Sequence, residues 1–256
     1  MDTLQLESVV AAAMLIGLRV GGLMLFAPFF SSAAIPGPMK VALTVTLTFL
    51  LYSSVRPVPP DAGALAWVGI AGGEVVVGLL LGLALQFVLE AAQAAGQILG
   101  VQAGYSLVTL LDPQTQADTP VMATFSQLVA LLIFLQLGVH HWLLRALASS
   151  FRYLPPGGVL ASLRASTTVV QAAGGIWLTG MQIAAPVVIV TFLADIALGF
   201  LSKASPQMPI LFLGLPVKTL LSLAVLAGAL WLWPEIFEAR LAAGIGLGER
   251  LLHLAK

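Results

Sequence analysis

The feature that most constrains this chain is a series of long segments without a charged residue. No Asp, Glu, Lys or Arg occurs in residues 20–39, 91–111, 119–144 or 165–194. Each segment has the roughly 20 residues that an apolar helix needs to cross a bilayer. Charged residues make up 9% of the chain and apolar residues 59%, whereas a soluble domain has about 25% charged residues. Too little polar surface remains for a soluble globule, and the chain is therefore predicted to be an integral membrane protein.

Charge, cysteine content and periodicity exclude several other classes. The 11 basic and 11 acidic residues cancel, so bulk charge gives no reason to expect nucleic acid as a partner. Disulfides and thiolate metal sites are excluded because the chain has no cysteine. The alternation of apolar and polar residues that marks membrane β-strands is missing. An all-α, polytopic helical membrane protein is the fold class that these observations predict.

Proline-containing breaks divide the chain into about six hydrophobic segments. Proline lacks a backbone N–H and moves the preceding residue out of the helical region, so it is a credible boundary. Between Pro60 and Pro113 there is no proline, and one continuous helix there would far exceed the ~30 Å bilayer core. We expect that stretch either to fold back or to project from the membrane. The predicted segments are residues 9–30, 39–55, 64–89, 120–144, 166–201 and 211–234.

Counting Lys and Arg on alternate sides of six segments predicts the orientation. One side carries seven basic residues and the other carries three. By the positive-inside rule, the side with seven is cytoplasmic, so both termini are predicted to lie in the cytoplasm. The seven are Arg56, Arg145, Arg152, Arg164, Arg240, Arg250 and Lys256, and the three are Lys40, Lys203 and Lys218.

Four charged residues interrupt the apolar runs. Arg19, Glu74, Glu90 and Asp195 would each cost roughly 2.5–3.5 kcal/mol at the centre of a lipid-facing helix. We therefore expect their helices to face protein or water more than lipid. An alternative hypothesis is a secondary transporter in which the three acidic residues form a proton or ion relay.

Glycines recur at helical spacing in the middle of the chain. Gly78 and Gly82 lie four residues apart, as do Gly96, Gly100 and Gly104. Small residues at this spacing let helix backbones approach closely inside a membrane. The sequence leaves open whether these glycines pack helices within this chain or meet other subunits.

Beside the glycines runs a stripe of polar residues. Gln86, Glu90, Gln93 and Gln97 are separated by 4, 3 and 4 residues, which places them within about 60° on one helix face. Such side chains either hydrogen-bond to a neighbouring helix or line a conduit. Hydrogen bonding between helices is the favoured interpretation.

Catalytic patterns are missing from the sequence. It contains no nucleophile elbow, zinc-protease helix, P-loop or dinucleotide fingerprint. His140 and His141 are adjacent and point about 100° apart on a helix, so they do not share a metal. We expect neither an enzyme nor a cofactor.

The order and spacing of short motifs resemble the FliR family, membrane components of the flagellar type III export gate with an injectisome counterpart. Arg19-Val20 and the stretch from Pro36 to Lys40 look like the family's opening. The block from Ala92 to Gln97, followed by Gly100, Gly104 and Asp112-Pro113, is similar to its middle. The most specific motif residues are Pro206, Gln207, Gly214, Pro216 and Lys218.

The resemblance implies a pore and gate subunit without chemistry of its own. Residues 1–256 would form one FliR-like domain, with a FliP-like part over about 1–200 and a FliQ-like hairpin over about 201–256. The expected partners are FliP and FliQ in a helical hetero-oligomeric export gate, with FlhB and FlhA nearby. This gate would conduct unfolded flagellar proteins across the bacterial inner membrane, within the flagellar basal body. The alternative within the family is an injectisome export gate.

Residues 105–120 combine an apolar stretch with a polar turn and are either an ordinary loop or a re-entrant loop. In the family, the matching loop helps to plug the closed pore. The resemblance therefore implies a seal formed by Tyr105, Leu107, Val108, Leu110, Leu111, Asp112 and Pro113. The helix-packing or interface residues predicted from spacing are Gly78, Gly82, Gln86, Glu90, Gln93, Gly96, Gln97, Gly100 and Gly104.

Overall fold

The described part of the chain forms a series of α-helices. The computed structural model describes residues 3–32, 35–52, 63–104, 121–156, 163–205, 207 and 210–254. No β-strand occurs among them. The helices are α1 (Thr3–Phe26), α2 (Gly37–Tyr52), α3 (Ala64–Gln102), α4 (Val121–Gln136), α5 (Val139–Tyr153), α6 (Leu163–Ala204), α7 (Ile210–Ala229) and α8 (Trp233–Leu254), with a 3-10 turn at Leu230–Leu232.

Several of these helices are long and apolar enough to cross a membrane. In the described residues the candidate spans are Glu7–Phe26, Ala66–Gln102, Gly175–Ala204 and Gly214–Gly244, with a fifth if α4 and α5 together form one bent span. Helix α2 is apolar but shorter. The predicted fold class, an all-α polytopic membrane protein, is confirmed.

Helix α3 is continuous and does not fold back. Its 39 residues correspond to a length of ~58 Å, about twice the thickness of the bilayer core. The sequence-based boundary at residue 89 was therefore wrong. That boundary reflected the polar residues that begin at Glu90, but Ala, Gln and Glu are good helix formers and extend the helix to Gln102. Part of α3 must project beyond the bilayer core.

Two other predicted boundaries also differ from the structure. The predicted segment 120–144 is two helices, because Gly138 adopts φ 66°, a left-handed conformation that favours glycine. The predicted segment 211–234 ends at Ala229, and α8 begins at Trp233. Proline in the first turn of a helix has no intrahelical hydrogen bond to lose, so Pro234 lies inside the start of α8 rather than ending a helix.

The chain divides into two compact units, of which unit 1 comprises residues 1–87, 134–173 and 240–256. In unit 1, α1 and α2 form an antiparallel hairpin, with Gly17 beside Thr48 and the Lys40 ammonium 3.1 Å from the Ser31 carbonyl oxygen. The first part of α3 packs on α1 and runs parallel to it. Buried apolar residues fill this unit, among them Leu15, Ile16, Leu23, Val77, Leu81, Leu143 and Leu147.

Unit 2 comprises residues 88–133 and 174–239. The second part of α3 packs against α6, where a methyl group on Gly180 would lie 3.0 Å from the Ala91 carbonyl oxygen, and against α4, where a methyl group on Gly96 would lie 2.5 Å from Ala123 Cα. The Thr219 hydroxyl donates to the Ala103 carbonyl oxygen at 2.7 Å and links α7 to the end of α3. The core of this unit includes Leu99, Ala130, Ile183, Val187, Leu226, Trp233 and Phe237.

Replacing Gly78 by Ala tests the packing of α1 on α3. A methyl group on Gly78 would meet the Arg19 carbonyl and lie 2.8 Å from the Leu23 backbone nitrogen. We expect Gly78→Ala to destabilise the chain by ~1–3 kcal/mol, as overpacking generally does, and to lower its Tm in detergent. Gly72 lies on the same helix with nothing within 4 Å of an added methyl group. Gly72→Ala should therefore leave the Tm unchanged or raise it slightly. Equal effects of the two substitutions would contradict this packing.

Candidate functional site

Arg19 of α1 is completely buried in unit 1 and is held by three hydrogen bonds. Its Nε donates to Glu74 Oε2 on α3 at 2.6 Å, and both side chains of this ion pair are fully buried. Its Nη1 donates to the Ser150 hydroxyl of α5 at 3.0 Å. Its Nη2 donates to the Leu154 carbonyl oxygen, just after α5, also at 3.0 Å. One side chain therefore connects three helices.

An aromatic ring and a hydrogen bond donated by Ser150 complete the surroundings of this guanidinium. The Arg19 Cζ lies 4.2 Å from the centroid of the Phe151 ring, a favourable cation–π geometry. The Ser150 hydroxyl donates onward to the Leu147 carbonyl oxygen at 2.6 Å. A buried charge is tolerated when it is paired and hydrogen-bonded, and Arg19 meets both conditions inside the protein.

Helix α5 supplies these partners because its sequence is amphipathic. Its buried residues recur at helical spacing, whereas His141 and Arg145 are exposed. Sequence reasoning identified Arg19 and Glu74 as costly charges but missed the helix that completes their site. The periodicity of residues 139–153 was the available signal. The buried positions are Val139, Leu143, Ala146, Leu147, Ser150 and Phe151.

Unit 2 contains a second ion pair, between α6 and α7. The Lys218 ammonium lies 2.7 Å from Asp195 Oδ2. The pair is less buried than that of Arg19, since the Lys218 side chain is 17% exposed and the Asp195 side chain 47% exposed. An exposed pair of this kind contributes little to stability in water. In a lipid environment, however, it neutralises a carboxylate that would otherwise be isolated.

Three of the five glycines predicted to pack helices, Gly78, Gly82 and Gly96, lie at close contacts between helix backbones. A methyl group on Gly82 would lie 2.8 Å from the Ala27 backbone nitrogen, so Gly82, like Gly78, packs on α1. A methyl group on Gly96 would lie 2.5 Å from Ala123 Cα of α4. The close approaches made by these three glycines occur within this chain.

The other two glycines predicted to pack helices, Gly100 and Gly104, lie near side-chain atoms of neighbouring helices and not near their backbones. Gly100 leaves room for a methyl group, which would lie 3.6 Å from Met122 Cβ. Gly104 has φ 84° and lies next to the Leu215 side chain, so glycine is favoured there by the left-handed conformation. Contacts of any of these glycines with other subunits stay a prediction.

The polar stripe lies along α3 as the spacing predicts. Gln86, Glu90 and Gln93 are half-buried, and Gln97 is exposed. Gln86 and Glu90 each interact with other groups of the chain. The stripe is therefore at least partly engaged within the protein, and a role in lining a conduit stays a prediction.

The described residues contain no group of three or more His, Cys, Asp or Glu side chains that would hold a metal ion. The described helices contain two ion pairs, the buried pair of Arg19 and Glu74 and the partly exposed pair of Lys218 and Asp195. Both have the character of structural contacts, because each acid is matched by a base on a neighbouring helix.

Comparison with known proteins assigns the chain to a family. The profile of a family described as bacterial export proteins, family 1, matches residues 10–244. The chain belongs to this family. The chain is 31% identical over 212 residues to the flagellar biosynthetic protein FliR of Escherichia coli strain K12, a match that covers 82% of this chain and 80% of that protein. The predicted family resemblance is confirmed.

Two further relatives show the range of this export family. The flagellar biosynthetic protein FliR of Pectobacterium carotovorum is 30% identical over 222 residues, covering 86% of this chain and 84% of that protein. The secretion system apparatus protein SsaT of Salmonella typhimurium is 30% identical over 166 residues, covering 63% of this chain and 62% of that protein. The family therefore includes proteins named for flagellar biosynthesis and for a secretion system.

The structure places most residues of the C-terminal export-family motif. Gln207 is exposed, and Pro216 is exposed within α7. Gly214 is buried, and a methyl group on it would lie 2.9 Å from the Leu198 side chain. Lys218 forms the ion pair with Asp195. Pro206 lies outside the described residues, as do all the predicted plug residues: Tyr105, Leu107, Val108, Leu110, Leu111, Asp112 and Pro113.

Single and double replacements of Arg19 and Glu74 test the buried ion pair. Arg19→Met leaves a buried carboxylate without its cation, and Glu74→Leu leaves a buried guanidinium without its anion. Each should destabilise the chain by ~3–5 kcal/mol. The double variant should lose much less stability than the two single losses combined, because both charges are gone. Thermal unfolding in detergent measures this coupling.

Lys218→Met provides the control for these single and double replacements. The ion pair of Lys218 and Asp195 is partly exposed, so this substitution should change the Tm little. If the double variant lost as much stability as the two single variants combined, the two side chains would not depend on each other, contrary to the geometry.

Proposed function

We propose that this chain is a pore and gate subunit of the flagellar type III protein export apparatus. It would join FliP and FliQ to form the inner-membrane conduit for unfolded flagellar proteins, with FlhB and FlhA nearby. The observation that carries the proposal is the match to the bacterial export family over residues 10–244, together with relatives named for flagellar biosynthesis that align over most of this chain. The more extensive flagellar matches favour the flagellum over an injectisome.

The lengths of the helices support an assembly that extends beyond the bilayer. Helices α3 and α6 have 39 and 42 residues, or ~58 and ~63 Å, against a bilayer core of ~30 Å. An isolated lipid-embedded bundle does not need helices of this length. Subunits whose helices pack against one another above the membrane surface do need helices of this length.

Exposed apolar side chains support contact with partner subunits as well as lipid. Phe49 of α2, Phe200 of α6 and Trp231 beyond α7 are among the most exposed large side chains, at 84%, 72% and 87%. The half-exposed Asp195 carboxylate lies on a helix that also exposes Phe192 and Ile196. A carboxylate is costly next to lipid, so this face is better suited to a protein surface or to water.

The ion pairs argue against a relay of acidic residues. Glu74 is held by Arg19 and Asp195 by Lys218, whereas a proton relay requires acids that can change protonation without losing a structural partner. In the proposed conduit these residues maintain the positions of the helices, and the chain performs no chemistry. The plug role of residues 105–120 is part of the proposal and rests on the family resemblance. The cytoplasmic position of the C-terminus is also part of the proposal, and it rests on the count of Lys and Arg on the two sides of the membrane.

Native mass spectrometry of a co-expressed complex tests this function. The tagged chain is produced with the FliP and FliQ proteins of the same genome and purified through its tag. We expect one stable complex that contains FliP, FliQ and a single copy of this chain. A matched preparation that expresses the chain without FliP provides the control, and it should lack the complex.

Purification of the chain alone, as a monomer or homodimer beside well-expressed FliP and FliQ, would contradict the proposal. The transporter hypothesis would then be tested with Glu90→Gln, which should abolish transport while leaving the amount of folded protein unchanged.

A further inference from the structure

A groove of about 420 Å³ lies between α1 and α2, within unit 1. Met24 and Leu25 line it from α1, and Val41 and Val45 line it from α2. Leu25, Val41 and Val45 are exposed, so the apolar walls are open to the surroundings. Its volume falls within the ~300–1,000 Å³ that is usual for small-ligand sites. The groove has the size and the apolar lining that an alkyl chain needs.

Gly21 keeps this groove open. Nothing lies within 4 Å of a methyl group placed on Gly21, whereas a methyl group on the adjacent Gly22 would meet the backbone of Val75 on α3. The two glycines therefore have different roles in α1. Gly22 allows close helix packing, and Gly21 leaves space that no described side chain fills.

Lys40 places a positive charge at one end of the groove. Its side chain is half-buried, and its ammonium donates to the Ser31 carbonyl oxygen at 3.1 Å. An ammonium has three N–H donors. In the described part of the chain, no carboxylate lies within ion-pair distance of Lys40. The first turn of α2, which contains Lys40, has no acidic residue, and the helix dipole adds partial positive charge there. An anion at this point would be favoured by both.

We propose that this groove binds an anionic phospholipid, with one acyl chain between α1 and α2 and the phosphate at Lys40. Lys40 lies next to the turn that follows the candidate span Glu7–Phe26, where lipid headgroups are found. Basic pockets between membrane helices bind acidic headgroups. The charge of Lys40 selects an anionic lipid over a zwitterionic one, while the apolar groove holds the chain of either. This site is independent of the proposed export function.

Thermal unfolding of the purified full chain in detergent tests the headgroup contact. The probes are phosphatidylglycerol and phosphatidylcholine with identical acyl chains, added at equal concentrations. A ligand that binds the folded state raises the Tm, so we expect a larger increase with phosphatidylglycerol. Lys40→Gln should remove this excess and Lys40→Arg should keep it. Lys203→Gln changes an exposed lysine of α6 and should keep it too.

Filling the groove tests the acyl-chain contact. Native mass spectrometry counts the phosphatidylglycerol molecules that remain bound, and Gly21→Leu should lose one that the wild type retains. Gly72→Leu, at another glycine with open space, should lose none. If Gly21→Leu unfolds, the Lys40→Gln and Lys40→Arg comparison decides the question. Equal stabilisation of the wild type by both lipids, or an undiminished excess in Lys40→Gln, would overturn the proposal and leave the groove to a partner helix or to non-specific lipid.

Discussion

The ion pair between Arg19 and Glu74 is the interaction on which the arrangement of unit 1 depends. A guanidinium without partners is far too costly in an apolar environment, so Arg19 has to lie where Glu74, Ser150 and Leu154 provide oxygen atoms at 2.6 to 3.0 Å. This requirement specifies how far α1, α3 and α5 are displaced along one another. Apolar packing alone allows many such displacements, because it has no directional requirement.

The glycines make this ion pair geometrically possible. Arg19 reaches Glu74 because α1 and α3 approach closely, and Gly22, Gly78 and Gly82 remove the side chains that would separate their backbones. Close approach in turn excludes water and lipid from the charged group, which strengthens the hydrogen bonds. The ion pair of unit 1 therefore depends on the small residues that let α1 and α3 approach each other. In unit 2, Gly96 and Gly180 allow α3 to approach α4 and α6 in the same way.

The sequence predicted the class of fold because composition and the length of uncharged runs report directly on the membrane environment. It also identified Gly78, Gly82, Arg19 and Glu74 as unusual. It did not reveal that Arg19 and Glu74 are partners, since they are 55 residues apart and no local pattern links them. The break at Gly138 was missed because the apolar run continues through it, and the left-handed conformation of a single glycine leaves no trace in hydropathy. The groove beside Gly21 also depends on three-dimensional packing that spacing does not encode.

In the proposed export conduit, the buried charges hold the helices in position and do not carry protons. Protein export by cells that produce only the Arg19→Met/Glu74→Leu double variant tests this claim most directly, with co-purification of FliP and FliQ as the measure of assembly. We expect the assembled double variant to export flagellar proteins, since two apolar side chains replace a neutralised pair. A double variant that assembles in normal amount but exports nothing would contradict it, and would show that this ion pair acts in transport itself.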